Sequence, residues 1–212
     1  MPLLHNYTNT LNLRYGIWHN TEGDDFFEKK LELFVEEKQE VSILKGRKKS
    51  EWLCSRYLLE LVADHKLRSA CIKDKYGKPY LKDGSEFISI SHTFDYTGVI
   101  VSQYVCGIDI QVIVPKIIVI APRFISVEEF KNIPENNNLP YIHVNWGAKE
   151  AMYKCYGKKE LDFRKNIFVE PFTFDPEGFV FYGQIRKGTF IKKYSLYARQ
   201  IENMILVYAI EI

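Results

Sequence analysis

Three short segments hold the residue types that metal and phosphate chemistry require. Gly107-Ile108-Asp109-Ile110-Gln111 reads as a strand, and alternate residues of a strand share a face. Ile108 and Ile110 then turn one way, and Gly107, Asp109 and Gln111 the other. A carboxylate and an amide oxygen sit there beside a glycine, where a ligand can approach closely. Hard oxygen donors of this kind suit Mg²⁺. Trp146-Gly-Ala-Lys-Glu-Ala-Met-Tyr-Lys154 reads as helix. At 3.6 residues per turn Trp146, Glu150 and Lys154 share a face, with Lys149 at its edge. In Phe87-Ile-Ser-Ile-Ser-His92, Ile88 and Ile90 face one side and Ser89 and Ser91 the other, and the strand ends at His92. Hydroxyls and an imidazole suit phosphate oxygens.

Each segment also has an ordinary reading. Asp109 could be a solvated carboxylate on the wet face of an edge strand. Glu150 and Lys154 could form an i,i+4 ion pair of about 0.2–0.5 kcal/mol. His92 could be a structural residue at a strand end.

The elements that must position these groups follow from periodicity. Leu11 to Trp18 alternates and predicts a strand. Asp24 to Phe34 has helical spacing, and a second helix is predicted from Lys48 to Asp64, with Trp52, Leu53, Tyr57, Leu58, Leu61 and Val62 at spacings of three and four. Gly77-Lys78-Pro79 breaks the chain. Strands are predicted over 87–92, 98–105 and 106–113. Ser126, with Glu129 three residues on, marks a helix start. Asn136-Asn137-Asn138 marks a loop, and Tyr141 to Cys155 a helix ended by Gly157. Strands over 166–169, 179–184, 189–196 and 204–210 complete the chain. This order predicts an α+β protein of two similar halves, 1–104 and 105–212, with no flexible linker between them.

Composition narrows the function classes. The 212 residues are 46% hydrophobic and 26% charged, as in ordinary globular proteins. A net charge of +2 is too small for a nucleic-acid coat. The four cysteines form no CxxC, which argues against zinc knuckles and redox motifs and for reduced thiols. The N-terminal segment does not read as a signal peptide. The longest apolar stretch, Met204 to Ile210, is too short for a membrane helix. A cytoplasmic protein that binds neither nucleic acid nor membrane is expected, and a monomer is favoured.

Together the segments resemble the 4′-phosphopantetheinyl transferase superfamily, in its larger, Sfp-type branch. The signature of that family is an apolar-Gly-apolar-Asp strand followed some forty residues later by Trp-x-x-Lys-Glu-x-x-x-Lys. Here Cys106-Gly-Ile-Asp109 and Trp146 to Lys154 match it. Gly77-Lys78-Pro79, Ile90-Ser91-His92, Arg47 and Arg56-Tyr-Leu-Leu59 match upstream features. Gly157-Lys158-Lys159-Glu160-Leu161 is similar to a Gly-Lys-Gly-Leu segment without its second glycine. The resemblance covers roughly residues 45 to 170.

What the resemblance implies is a pseudo-twofold pair of α+β halves with coenzyme A in the cleft between them. Asp109 and Glu150 would hold Mg²⁺, with Gln111 standing where many members carry a third, acidic ligand. Lys154, Ser91 and His92 would contact phosphates. Arg47 and Arg56 would take the nucleotide's phosphate end, and Lys78 would lie along the adenine. The implied reaction moves phosphopantetheine from coenzyme A to a serine of an apo acyl carrier protein or peptidyl carrier domain and releases 3′,5′-ADP. Glu150, Lys154 and Asp109 are the expected catalytic residues. Pro122 interrupts a segment that is usually helical in the family. The rival readings are a silent coenzyme A-binding homologue and a metal-dependent nucleotide phosphodiesterase.

Overall fold

The computed structural model describes residues 3–8 (backbone only for 5–8), 13–63, 69–136 and 138–212. The chain divides into two compact units, residues 1–105 and 106–212. Each combines antiparallel strands with one long helix, so the protein is α+β. Among the described residues no helix is long and apolar enough to cross a membrane.

The first unit runs β1 (Leu3–Thr8), β2 (Arg14–His19), α1 (Asp24–Lys30), α2 (Val35–Ser42), α3 (Arg47–Ala63), β3 (Cys71–Lys73), β4 (Pro79–Leu81), β5 (Phe87–Thr93) and β6 (Tyr96–Ser102). Its four-stranded sheet has the order β1-β2-β6-β5. The apolar stripe of α3, including Trp52, Leu53, Leu58, Leu59 and Val62, packs against Trp18, Ile88, Val99 and Val101 of that sheet. That stripe at helical spacing is why residues 47–63 form a helix here, since the face it buries supplies most of the helix's stability.

The expected helix over 24–34 is observed only over Asp24–Lys30, and a further helix, α2, follows at Val35–Ser42. α1 ends at Lys30, and residues 31–34 are non-helical. Leu31 is buried and extended at the helix end. α2 restarts behind Phe34, whose backbone N–H donates to the Glu37 side chain at 3.2 Å. The break turns Glu37 inward, where it accepts the Cys71 backbone N–H at 3.1 Å and lies 3.7 Å from Arg56. The 11–18 strand is observed over Arg14–His19, and the 48–64 helix over Arg47–Ala63. Positions 11, 12 and 64, and Asn137 of the predicted loop, lie outside the described residues.

The second unit runs β7 (Cys106–Val112), α4 (Lys116–Ile120), a 3-10 turn (Ala121–Arg123), α5 (Val127–Phe130), α6 (Asn138–Tyr156), β8 (Ile167–Val169), β9 (Phe179–Lys187), β10 (Phe190–Ile201) and β11 (Met204–Glu211). Its five-stranded sheet has the order β7-β11-β10-β9-β8, all antiparallel. Pro122 lies in the 3-10 turn that ends α4, as a proline without an N–H requires of a helix interior. Ser126 caps α5, accepting the Glu129 N–H at 3.3 Å while the Glu129 side chain accepts the Ser126 N–H at 2.8 Å. All four cysteines are buried and free.

α6 lies across β7 and β11 at very short range. A Cβ on Gly107 would stand 2.0 Å from the Ala151 carbonyl oxygen, and one on Gly147 would stand 2.8 Å from a Val207 methyl carbon. The expectation that Gly107 makes room for a ligand is therefore corrected. Its missing side chain makes room for the helix backbone.

Candidate functional site

The close seating of α6 on β7 brings Asp109, Gln111, Glu150 and Lys154 into one cluster. β7 is an edge strand, yet Asp109 is only 7% exposed. Lys154 Nζ donates to Asp109 Oδ1 at 2.9 Å and to the Ile108 carbonyl at 2.7 Å. Gln111 Nε2 donates to Asp109 Oδ2 at 3.2 Å and to the His143 carbonyl at 3.1 Å. Asp109 thus has a donor on each oxygen.

Glu150 sits in the field of Asp109. Burial, reinforced by the Asp109 carboxylate and partly opposed by the Lys154 ammonium, pushes its carboxyl up to about 7. Two carboxylates sharing a half-buried site and one lysine leave excess negative charge there. A divalent cation would offset that charge, and two carboxylates with remaining positions for water and phosphate would make an ordinary Mg²⁺ shell. The donor set therefore fits the metal through Asp109 and Glu150. No group of three or more His, Cys, Asp and Glu side chains suited to a metal occurs among the described residues.

His143 was not among the residues read from the sequence. It lies seven positions before Glu150, hence over the same helix face, and that spacing was the available signal. Its Nδ1 is 2.6 Å from Gln111 Oε1 and its Nε2 is 3.0 Å from the Val114 backbone N. Burial lowers its pKa, although the Val114 backbone and the Asp109 charge favour the protonated ring.

Lys149 is fully buried. Its ammonium donates to Glu129 Oε2 at 2.8 Å and to the Phe163 and Ile167 carbonyls at 2.9 and 2.8 Å. Burial pulls its pKa down, and Glu129 opposes the shift. Lys149 therefore ties α6 to α5, β8 and the segment between α6 and β8, and holds the helix that presents Glu150 and Lys154.

On the far side of Trp146 a cavity of about 640 Å³ opens among Ile120, Arg123, Phe124, Phe163 and Arg164. The Trp146 ring lies 4.7 Å from that of Phe124 and 5.5 Å from that of Phe163.

Of the residues expected to contact coenzyme A, Lys154 lies in the second unit and Arg47, Arg56, Lys78, Ser91 and His92 in the first, where Arg56 and His92 line one cavity. A cavity of about 310 Å³ beside α3 is lined by Lys48, Trp52, Arg56, Lys73, Pro79 and His92. His92 shares the α3-facing side of β5 with Ile88 and Ile90, and its Nδ1 lies 3.1 Å from Thr97 Oγ1. Ser91 is buried on the opposite face. Arg56 lines the cavity but is only 2% exposed. It stacks on Trp52 at 4.4 Å and meets Glu40 at 3.3 Å. Arg47 is exposed, donating to Glu51 at 2.7 Å and to the Phe94 carbonyl at 2.6 Å. The Lys78 backbone N–H closes the β3–β4 turn onto Asp74 at 2.9 Å. Lys48, from the basic run Lys45-Gly-Arg-Lys-Lys49, and Lys73 line the cavity as well, and Lys73 is paired with Glu40 at 2.6 Å.

No protein-family model matches the chain. Over 86 residues the chain is 34% identical to the 4′-phosphopantetheinyl transferase psf-1 of Bacillus pumilus. The match spans 39% of this chain and 37% of that protein. This similarity supports the phosphopantetheinyl transferase superfamily and, with it, a transferase.

Proposed function

We propose that the chain is a Mg²⁺-dependent 4′-phosphopantetheinyl transferase of the Sfp type, acting on coenzyme A and an apo carrier protein. The observation that carries this reading is the meeting of Asp109 on β7 with Glu150 and Lys154 on α6. The partial similarity to the Bacillus pumilus transferase supports it independently.

Asp109 and Glu150 would hold the metal. Bound there, Mg²⁺ supplies positive charge that neutralises the coenzyme A pyrophosphate and its leaving group. In the reaction a bond forms between the carrier serine oxygen and the β-phosphorus. The bond from that phosphorus to the oxygen of 3′,5′-ADP breaks, and the nucleotide leaves with the electron pair. Lys154 contributes a fixed cation to the separating phosphates. The serine proton needs an acceptor, and the Glu150 carboxylate is the group of this cluster that would take it; its pKa of about 7 belongs to the site without a cation, and a bound metal would lower it and weaken the base. Lys48 and His92, which line the cavity of the first unit, would contact the nucleotide's phosphates.

The test is incubation with coenzyme A, Mg²⁺ and an apo acyl carrier protein, followed by intact-mass measurement. The carrier should gain one phosphopantetheine. Asp109→Ala and Glu150→Ala should each abolish the gain while keeping the circular dichroism spectrum. No mass gain across a panel of apo carriers would sink the proposal, and near-normal turnover in either variant would sink the metal assignment.

A further inference from the structure

Gln111 stands beside the two carboxylates of the cluster, and either end of its amide could face them. The hydrogen bonds around it decide which. The Val114 backbone N–H points at His143 Nε2 at 3.0 Å, so that nitrogen carries a lone pair and not a proton. In the neutral ring the proton is then on Nδ1. Nδ1 lies 2.6 Å from Gln111 Oε1, which accepts it. The Gln111 NH₂ group is left facing Asp109 Oδ2 at 3.2 Å and the His143 carbonyl at 3.1 Å, both acceptors.

The reverse orientation fails on the same contacts. It would set Oε1 against two oxygens and the NH₂ group against an N–H. The other tautomer, with Nε2–H turned to the Val114 carbonyl at 3.2 Å, would set the Val114 N–H against a proton. Gly147 leaves the amide its room on the helix side, because a Cβ there would stand 3.0 Å from Gln111 Nε2.

We propose that Gln111 is a positioning residue and not a metal ligand: His143 turns its amide so that the NH₂ group, not the oxygen, meets Asp109. Gln111 and Lys154 then hold the two oxygens of Asp109 from opposite sides and fix the plane of its carboxylate. The relay runs from the Val114 backbone through His143 and Gln111 to the ligand. The metal part of this inference rests on the reading of Asp109 and Glu150 as a Mg²⁺ site, whereas the relay itself does not.

Two measurements test it. The first is ¹⁵N NMR of His143 in the unaltered, metal-free protein at pH 8. The Nδ1–H tautomer is expected, and the Nε2–H tautomer overturns the relay. The second is Mn²⁺ binding, followed by electron paramagnetic resonance, in the unaltered protein, Asp109→Asn, Gln111→Met, His143→Ala, His143→Asn and the Gln111→Met/His143→Ala double variant. Asp109→Asn should abolish uptake. Gln111→Met and His143→Ala should each weaken it by about tenfold, as loss of an outer partner of a metal ligand does. The double variant should be no worse than either single one, because both break the same chain. His143→Asn, whose amide can place a donor near the former Nδ1, should bind within about twofold of the unaltered protein and serves as the folded control. Gln111→Met losing uptake as completely as Asp109→Asn, His143→Ala binding more tightly, or fully additive losses in the double variant would each overturn the proposal. No Mn²⁺ uptake by the unaltered protein would take down the metal reading. The Nδ1–H tautomer would still leave the relay standing, so the two failures are told apart.

Discussion

Lys149 and Glu129 form an ion pair at 2.8 Å in which the lysine has no solvent exposure. Glu129 spends its other contacts on backbone, accepting the Ser126 N–H at 2.8 Å and the Val169 N–H at 3.0 Å. The pair joins three elements through two side chains. Removing one member of such a pair leaves a buried charge without its counterion. Lys149→Met should therefore lower the unfolding free energy by about 3–5 kcal/mol, measured by urea denaturation at pH 7. A loss below about 1 kcal/mol, the range of exposed pairs, would show that Glu129 is stabilised by its backbone donors alone.

Glu150 links stability to pH. Its folded pKa, about 7, lies above the ordinary 4.5, so between these values the folded state binds more protons than the unfolded chain. Stability is then full below 4.5 and is lost as pH rises through about 7. A shift of this size corresponds to about 3 kcal/mol at most. Glu150→Gln should match the unaltered protein at pH 4.5 and exceed it in melting temperature at pH 8, without added metal. Parallel melting curves across that range would refute the assignment. Mg²⁺ should raise the melting temperature of the unaltered protein more at pH 8 than at pH 5.5, because the cation competes with the proton for Glu150.

Glu160 adopts φ +72°, the left-handed region. It is the residue before Leu161, where the resembled motif has glycine. A side chain there costs about 1–2 kcal/mol, part of which glycine returns through its looser unfolded state. The Glu160 carbonyl accepts Lys187 Nζ at 2.7 Å and survives substitution, and the Glu160 side chain is largely exposed. Glu160→Gly should raise stability by about 0.5–1 kcal/mol, read from denaturant midpoints. A lower midpoint would mean that the side chain matters more than the backbone conformation.

The segment Arg123-Phe124-Ile125 combines a charge with two large apolar side chains, as a docking surface for an acidic carrier protein would need. Phe124 and Ile125 are buried in the cluster with Ile117, Ala121 and Ile142, so only the charge remains at the surface. Arg123 and Lys131 are exposed. Arg123→Glu with Lys131→Glu should raise the KM for an acidic carrier several-fold and flatten the salt dependence, since exposed charge governs encounter more than affinity. The KM for coenzyme A should hold. The opposite pattern would assign the segment to the nucleotide.

The alternation of Gly107 to Gln111 and the helical spacing of Trp146 to Lys154 put Asp109, Glu150 and Lys154 on identifiable faces, because both signals are local, whereas their meeting was expected from the family resemblance. The break at Leu31–Phe34 was not. Residues 24–42 are helix-compatible throughout, and Phe34 carries none of the side chains that signal a helix start. What interrupts the helix is the burial of Leu31 and the inward turn of Glu37 toward Arg56 and Cys71, which are distant in sequence. The same cause hid the state of Arg56. Its position on α3, one turn from Trp52, could be read from the chain, whereas its enclosure by Glu37 and Glu40 depends on α2. Ser91 and His92 are neighbours in sequence and for that reason lie on opposite faces of β5.

The contact between Gly107 and the Ala151 carbonyl works as an index mark. Two backbones meet there, so no change of rotamer can let α6 slide along β7. The phase of Glu150 and Lys154 relative to Asp109 is set at that point. The segment between β7 and α6 does not set it. Residues can therefore be inserted or lost in the irregular stretch before α6 without moving the carboxylates, whereas adding one methyl group at residue 107 displaces all of them at once.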